Sequence, residues 1–142
     1  MAINARVSFK GGMKFEGTAN SGHTVLMDAA EGKLGGENAG FRPMELMAIS
    51  MGGCTGMDVV SLLRKMRQDF TDVQIEINAE QREEHPRHFV KVELVYHVWG
   101  RNLDPAKVEK AVSLSYERYC PAIATVRHVA EIVYRVEIHE VA

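Results

Sequence analysis

A chain of 142 residues, 46% hydrophobic and 25% charged, is long enough for one domain with a real core and has the composition of a globular protein. Seventeen basic against 19 acidic residues leave a net charge of −2, which argues against nucleic acid as the main partner because phosphate binding needs a cationic surface. The start, Met1-Ala2-Ile3-Asn4-Ala5-Arg6, has no apolar signal-peptide core, and the nearly apolar run Leu46–Met57 is shorter than the roughly 20 residues a bilayer demands, so a cytoplasmic protein without a membrane partner is expected.

Residues 3–10 alternate, with Ile3, Ala5, Val7 and Phe9 against Asn4, Arg6, Ser8 and Lys10, as a half-buried strand does. Gly11-Gly12 makes a turn, Met13–Gly17 returns as the hairpin partner, and residues 24–28 read as a third short strand. The Gly-rich stretch Gly32–Gly40 is predicted to be a mobile loop. Pro43 suits the first turn of a helix that runs to about Arg67, with Leu46, Ile49, Gly53, Met57 and Val60 on one stripe and Met47, Ser50 and Cys54 beside it. No charge falls between Leu46 and Met57, so this helix is expected to be buried on every side, and a second subunit is a natural source of the missing cover. Gly52 and Gly56 are spaced for close approach of another helix at a dimer core; each lowers helix propensity by about 1 kcal/mol.

Two long alternating runs follow, 72–84 and 87–99, joined by the polar turn Glu83–Arg87. Asp104-Pro105 is an N-cap followed by a first-turn proline, opening a helix whose apolar stripe is Val108, Ala111 or Val112, Ser115 and Tyr119. Pro121 starts a further short turn to about Val126, and residues 131–139 alternate as a last strand. Without repeat or linker, residues 1–142 read as a single domain. The order βββ-α-ββ-α-α-β predicts an α+β fold, mostly antiparallel sheet with helices against one face.

The chain has two cysteines, Cys54 in the apolar helix and Cys120 directly before Pro121. They are far too distant in sequence for a CxxC hairpin, so only folding can join them, and the choice lies between redox chemistry and inert core packing. Six histidines include His85 and His88 at the polar turn and His23, His97, His128 and His139 scattered without ligand spacing, so no metal or other cofactor is expected. No Ser/His/Asp elbow or phosphate-binding glycine loop occurs. Of the eight methionines, Met44, Met47, Met51 and Met57 cluster near Cys54, as core filler or as the lining of an apolar pocket.

The segment Pro43-Met44-Glu45-Leu46, Gly52-Gly53-Cys54 after it and Cys120-Pro121 downstream resemble the OsmC-like family, which includes osmotically inducible and organic hydroperoxide resistance proteins. Arg42-Pro43-Met44-Glu45 and Glu117-Arg118-Tyr119-Cys120 are most similar to its YhfA-like branch. The resemblance implies an intertwined homodimer with the two central helices side by side and an active site at each subunit interface. It also implies reduction of hydroperoxides in oxidative-stress defence, Cys54 attacking the peroxide to become a sulfenic acid and Cys120 resolving it to a disulfide that an external dithiol reduces.

One departure stands out. In the hydroperoxide resistance proteins an arginine and a glutamate form an ion pair that holds the reactive thiolate; their positions fall here at Met13 and Met44. Arg42 and Glu45 precede Cys54 by roughly 18 and 13 Å of helix, too far to replace them within one chain. A cation would have to come from Lys14, Arg118, Arg127 or Arg42 of the partner subunit. Cys120, before a proline that begins a helix, is expected to be favoured as a thiolate by the exposed N–H groups there. The alternative is an OsmC-like dimer with a degenerate site that binds a small apolar molecule, in which Cys54 is a buried, inert thiol.

Overall fold

The computed structural model describes residues Met1–Ala142 and resolves into two compact units, Met1–Met47 and Ala48–Ala142. The first unit is a three-stranded antiparallel meander, β1 (Ala5–Phe9), β2 (Phe15–Ala19) and β3 (Thr24–Met27) in sequential order. Gly11 and Gly12, at φ 96° and 58°, close the first turn where a side chain would be strained, and Phe9 faces Phe15 across it with ring centroids 5.6 Å apart.

The glycine-rich stretch has neither helix nor strand, as expected, but it is tied down. The carboxylate of Asp28 is buried and accepts from the backbone N–H groups of Ala29 (2.7 Å), Glu37 (3.1 Å) and Ala39 (3.0 Å). These bonds, that from Ala39 foremost, hold its carboxyl below the ordinary value. Gly40 passes so close to β3 that a Cβ would stand 2.4 Å from the Leu26 carbonyl oxygen.

Helix α1 (Pro43–Lys65) begins with Glu45 reaching back to the Arg42 N–H at 2.8 Å, half of a capping box. It ends in a Schellman motif: Arg67 adopts φ 57° and donates to Arg64 O, while Gln68 donates to Leu63 O, both at 3.0 Å. The division between the two units falls within α1. Its 23 residues are apolar enough, by length and composition, to cross a membrane, yet Met51, Thr55, Val59 and Leu63 are wholly buried inside the protein, as in a core helix.

The second unit is built on β4 (Asp69–Gln81), β5 (Phe89–Arg101) and β6 (Glu131–Glu140). β4 and β5 form the expected long hairpin, but β6 lies parallel to β5, pairing Val92 with Ile132 and Tyr96 with Val136. The second sheet is therefore mixed, and the chain between β5 and β6 is a crossover. Val92, Leu94, Tyr96 and Val98 of β5 are fully buried, and burial of the three aliphatic side chains is worth about 1.5–3 kcal/mol each relative to exposure. α1 packs on this inner face, with Gly52 against Ile77 and Gly56 against Ile75. Those two glycines thus accommodate a strand of the same chain, whereas Gly53 has open space in front of it.

The crossover holds α2 (Pro105–Leu114), a π-helical segment Ser115–Tyr119 and α3 (Pro121–Val126). Asp104 caps α2 by accepting from Ala106 N–H at 3.0 Å. Val108, Ala111, Val112 and Ser115 are buried as the stripe predicts, but Tyr119 is half exposed. The π segment widens the turn and rotates Tyr119 off the buried face.

The apolar helix is not buried all round within this chain. Met47, Ile49 and Met57 are 48%, 50% and 77% exposed.

Candidate active site

Cys54 lies half-buried in the middle of α1, and Cys120 is buried at the N-cap of α3. The fold brings the two thiols near enough to interact, and Cys54 helps to raise the pKa of Cys120. Ser115 is the bridge. Its hydroxyl is 2.7 Å from that of Thr55, the neighbour of Cys54, and its carbonyl accepts from the Cys120 N–H at 3.0 Å across the wide π turn.

The hydroxyls around Ser115 form an ordered chain. Ser115 Oγ donates to Asp58 Oδ2 at 2.8 Å, which uses its only proton. Thr55 must then donate to Ser115, and Tyr96 must donate to Thr55 at 2.7 Å. The direction runs from Tyr96 through Thr55 and Ser115 to the Asp58 carboxylate. Burial pushes the Tyr96 phenol up to about 12, which keeps this first proton in place. These four polar residues escape a sequence reading because each sits in a pattern that reads as apolar: Thr55 and Asp58 on the core helix, Tyr96 in an alternating strand, Ser115 on a helix stripe.

Cys120 departs from its expected state. The Ile123 N–H does donate to its sulfur at 3.4 Å, as the helix start predicts. Burial outweighs that donor, and the interaction with Cys54 adds to it, so the thiol is pushed up to about 11 and keeps its proton at neutral pH. The buried, protonated thiol is therefore Cys120, and the half-open one is Cys54.

The cations considered as thiolate partners have other neighbours in their own units. Lys14 pairs with Glu37 at 2.6 Å, and Arg42 Nη1 donates to the Gly40 carbonyl at 3.1 Å. Arg118 lies 5.7 Å from the Tyr119 ring centre, and Arg127 covers the Tyr116 ring at 4.9 Å and donates to the Tyr116 carbonyl. The histidines are less scattered than their spacing suggests. His97 and His139 meet on the far face of the second sheet, because parallel pairing of β5 and β6 aligns residues far apart in sequence.

Residues 35–135 match the family model of OsmC-like proteins. Protein YhfA of Escherichia coli (strain K12) is 38% identical over 136 residues, 96% of this chain and 98% of the relative. Among solved structures, a hypothetical protein from Aquifex aeolicus VF5 superposes with a TM-score of 0.81 at 28% identity, covering 98% of each chain. An organic hydroperoxide resistance protein OsmC from Legionella pneumophila shares the fold at a TM-score of 0.69 and 18% identity, over 96% of this chain and 97% of that one. With a long central helix that carries one of two neighbouring thiols, a mixed second sheet and these likenesses over nearly its full length, this chain belongs to the OsmC-like family.

Proposed function

We propose that the protein is a cytoplasmic, thiol-dependent hydroperoxide reductase. The observation that carries this reading is the nearness of Cys54 and Cys120 within the fold, one thiol half-open and the other buried and protonated. In the cycle, the Cys54 thiolate attacks the terminal peroxide oxygen, an S–O bond forms as the O–O bond breaks, and the alkoxide leaves as an alcohol after taking a proton. The sulfur of Cys120 then attacks the Cys54 sulfenic acid; the S–S bond forms and the departing hydroxide takes the Cys120 proton as water. An external dithiol restores both thiols. The chain from Tyr96 to Asp58 supports the pair by fixing α1 against the π segment, with no part in electron transfer.

We place this chemistry in a homodimer. The exposed stripe of Ile49, Gly53 and Met57 on α1 is apolar and supports a second copy as its cover, so Met57→Glu is expected to yield monomers in light scattering.

A second reading rests on a separate feature. The first unit has an apolar groove of about 750 Å³ lined by Val7, Met13, Phe15, Met27 and Pro43, which suits a small apolar ligand. One assay separates the readings. Purified protein is mixed with an organic hydroperoxide or hydrogen peroxide and a dithiol, and Cys54→Ser and Cys120→Ser are run in parallel. The reductase reading predicts consumption abolished by Cys54→Ser and a Cys54–Cys120 disulfide by mass spectrometry in wild type. If wild type consumes no more peroxide than Cys54→Ser, ligand binding prevails.

A further inference from the structure

The outer face of the second sheet carries a cluster unrelated to the cysteines. His97 on β5 stands beside Glu137, its register partner on β6, and Trp99 stands beside His139. His97 Nδ1 is 3.0 Å from His139 Nε2 and 3.3 Å from Glu137 Oε2. One donor atom from each of the three lies within 4.8 Å of the other two.

Two further contacts orient the set. On its far side, His97 Nε2 lies 2.9 Å from Glu76 Oε1 on β4. An ionised carboxylate only accepts, so in the tautomer that carries its proton at Nε2 the ring donates to Glu76 and turns its Nδ1 lone pair toward Glu137 and His139. A carboxylate gripping the remote N–H is the usual support of a metal-ligating imidazole. Arg135 Nε holds the other oxygen of Glu137 at 3.3 Å, which leaves Oε2 toward the histidines. Trp99 stacks on both rings, at 4.6 Å on His139 and 5.7 Å on His97, and limits their rotation.

Three groups that can each offer a lone pair lie within reach of one positive centre. A proton serves one pair at a time, either His97 with His139 or His97 with Glu137. A divalent cation serves all three together. We infer that His97, His139 and Glu137 form a binding site for a divalent transition-metal cation of the imidazole-preferring class, with Glu76 as positioning residue. Two imidazole nitrogens and one carboxylate oxygen suit zinc, nickel or copper, whereas calcium and magnesium call for oxygen alone. Zinc–nitrogen bonds of about 2.0–2.1 Å set tetrahedral ligand atoms about 3.3 Å apart, close to the 3.0 and 3.3 Å that separate His97 Nδ1 from His139 and Glu137, and binding would turn the near-parallel imidazoles toward the ion. The His97 side chain is 13% exposed and that of Glu137 41%, which leaves a way in and open coordination positions for water.

The test uses full-length protein freed of any histidine tag, in a Cys54→Ser/Cys120→Ser background so that thiols bind no metal. Zinc is titrated by calorimetry, and copper or nickel by quenching of Trp99, the only tryptophan. One zinc per chain is expected, with binding lost in His97→Gln and in His139→Gln, weakened about tenfold or more in Glu76→Gln, and kept in His128→Gln. Circular dichroism of each variant confirms folding, and His139→Gln at the edge of the cluster stands in should His97→Gln unfold. The site is refuted if zinc does not bind saturably below millimolar concentration, or if binding survives loss of both histidines.

Discussion

Thr55→Val keeps the side chain's shape and removes its hydroxyl, so packing is preserved and only the hydrogen-bond chain is cut. In the order derived above, Thr55 is the acceptor for Tyr96 and the donor to Ser115. Ser115 keeps its bond to Asp58 in the variant, but the fully buried Tyr96 hydroxyl loses its acceptor. An unsatisfied buried donor costs about 1–3 kcal/mol, so a loss of about 2 kcal/mol is expected. Tyr96→Phe in the wild-type background removes one ordinary bond and should cost about 0.5–1.5 kcal/mol. In the Thr55→Val background the same change deletes the stranded donor and should be neutral or stabilising. The double-mutant cycle thus yields a coupling of about 1–2 kcal/mol. The assay is urea unfolding followed by Trp99 fluorescence and far-ultraviolet circular dichroism, at one fixed protein concentration because association would shift the midpoint. Equal losses from Tyr96→Phe in both backgrounds would refute the proton order and the bridging role of Thr55.

Three further outcomes are expected. Gly52→Ala would bring a Cβ within 2.5 Å of Ile77 Cδ1 and must displace the end of that side chain, which offsets a propensity gain of about 1 kcal/mol, whereas Gly53→Ala meets nothing within 4 Å and keeps the gain in the isolated chain, so Gly53→Ala should have the higher unfolding midpoint. Asp28, held below its ordinary 3.8, lends stability that is whole above that pH and lost as acid protonates the folded carboxyl, so Asp28→Asn should flatten the acid limb of a stability–pH curve. Cys120, raised from 9.0 to about 11, favours the folded state below pH 9 and loses that contribution as pH climbs through 11; iodoacetamide near neutral pH should label Cys54 first, and faster labelling of Cys120 by peptide mapping would contradict its burial.

Local chemistry was legible from the residues themselves. Alternation marked β1, β4, β5 and β6, and Pro43, Asp104-Pro105 and Pro121 marked three helix starts, since period and caps depend on near neighbours. The pair Cys54 and Cys120 stood out because each lay in a recognisable segment. Tyr119 was misread because a π turn changes the residue spacing of a stripe without leaving a signal in residue type.

What the sequence alone determined was which stretches would be helix or strand, and that two thiols were worth attention. Tertiary structure decided that β6 runs parallel to β5, that Ser115 ties α1 to the π segment, and that His97 meets Glu137 and His139. Periodicity is set by bonds a few residues long, whereas strand order and direction are chosen by burying one common face, and only that choice turns distant side chains into neighbours.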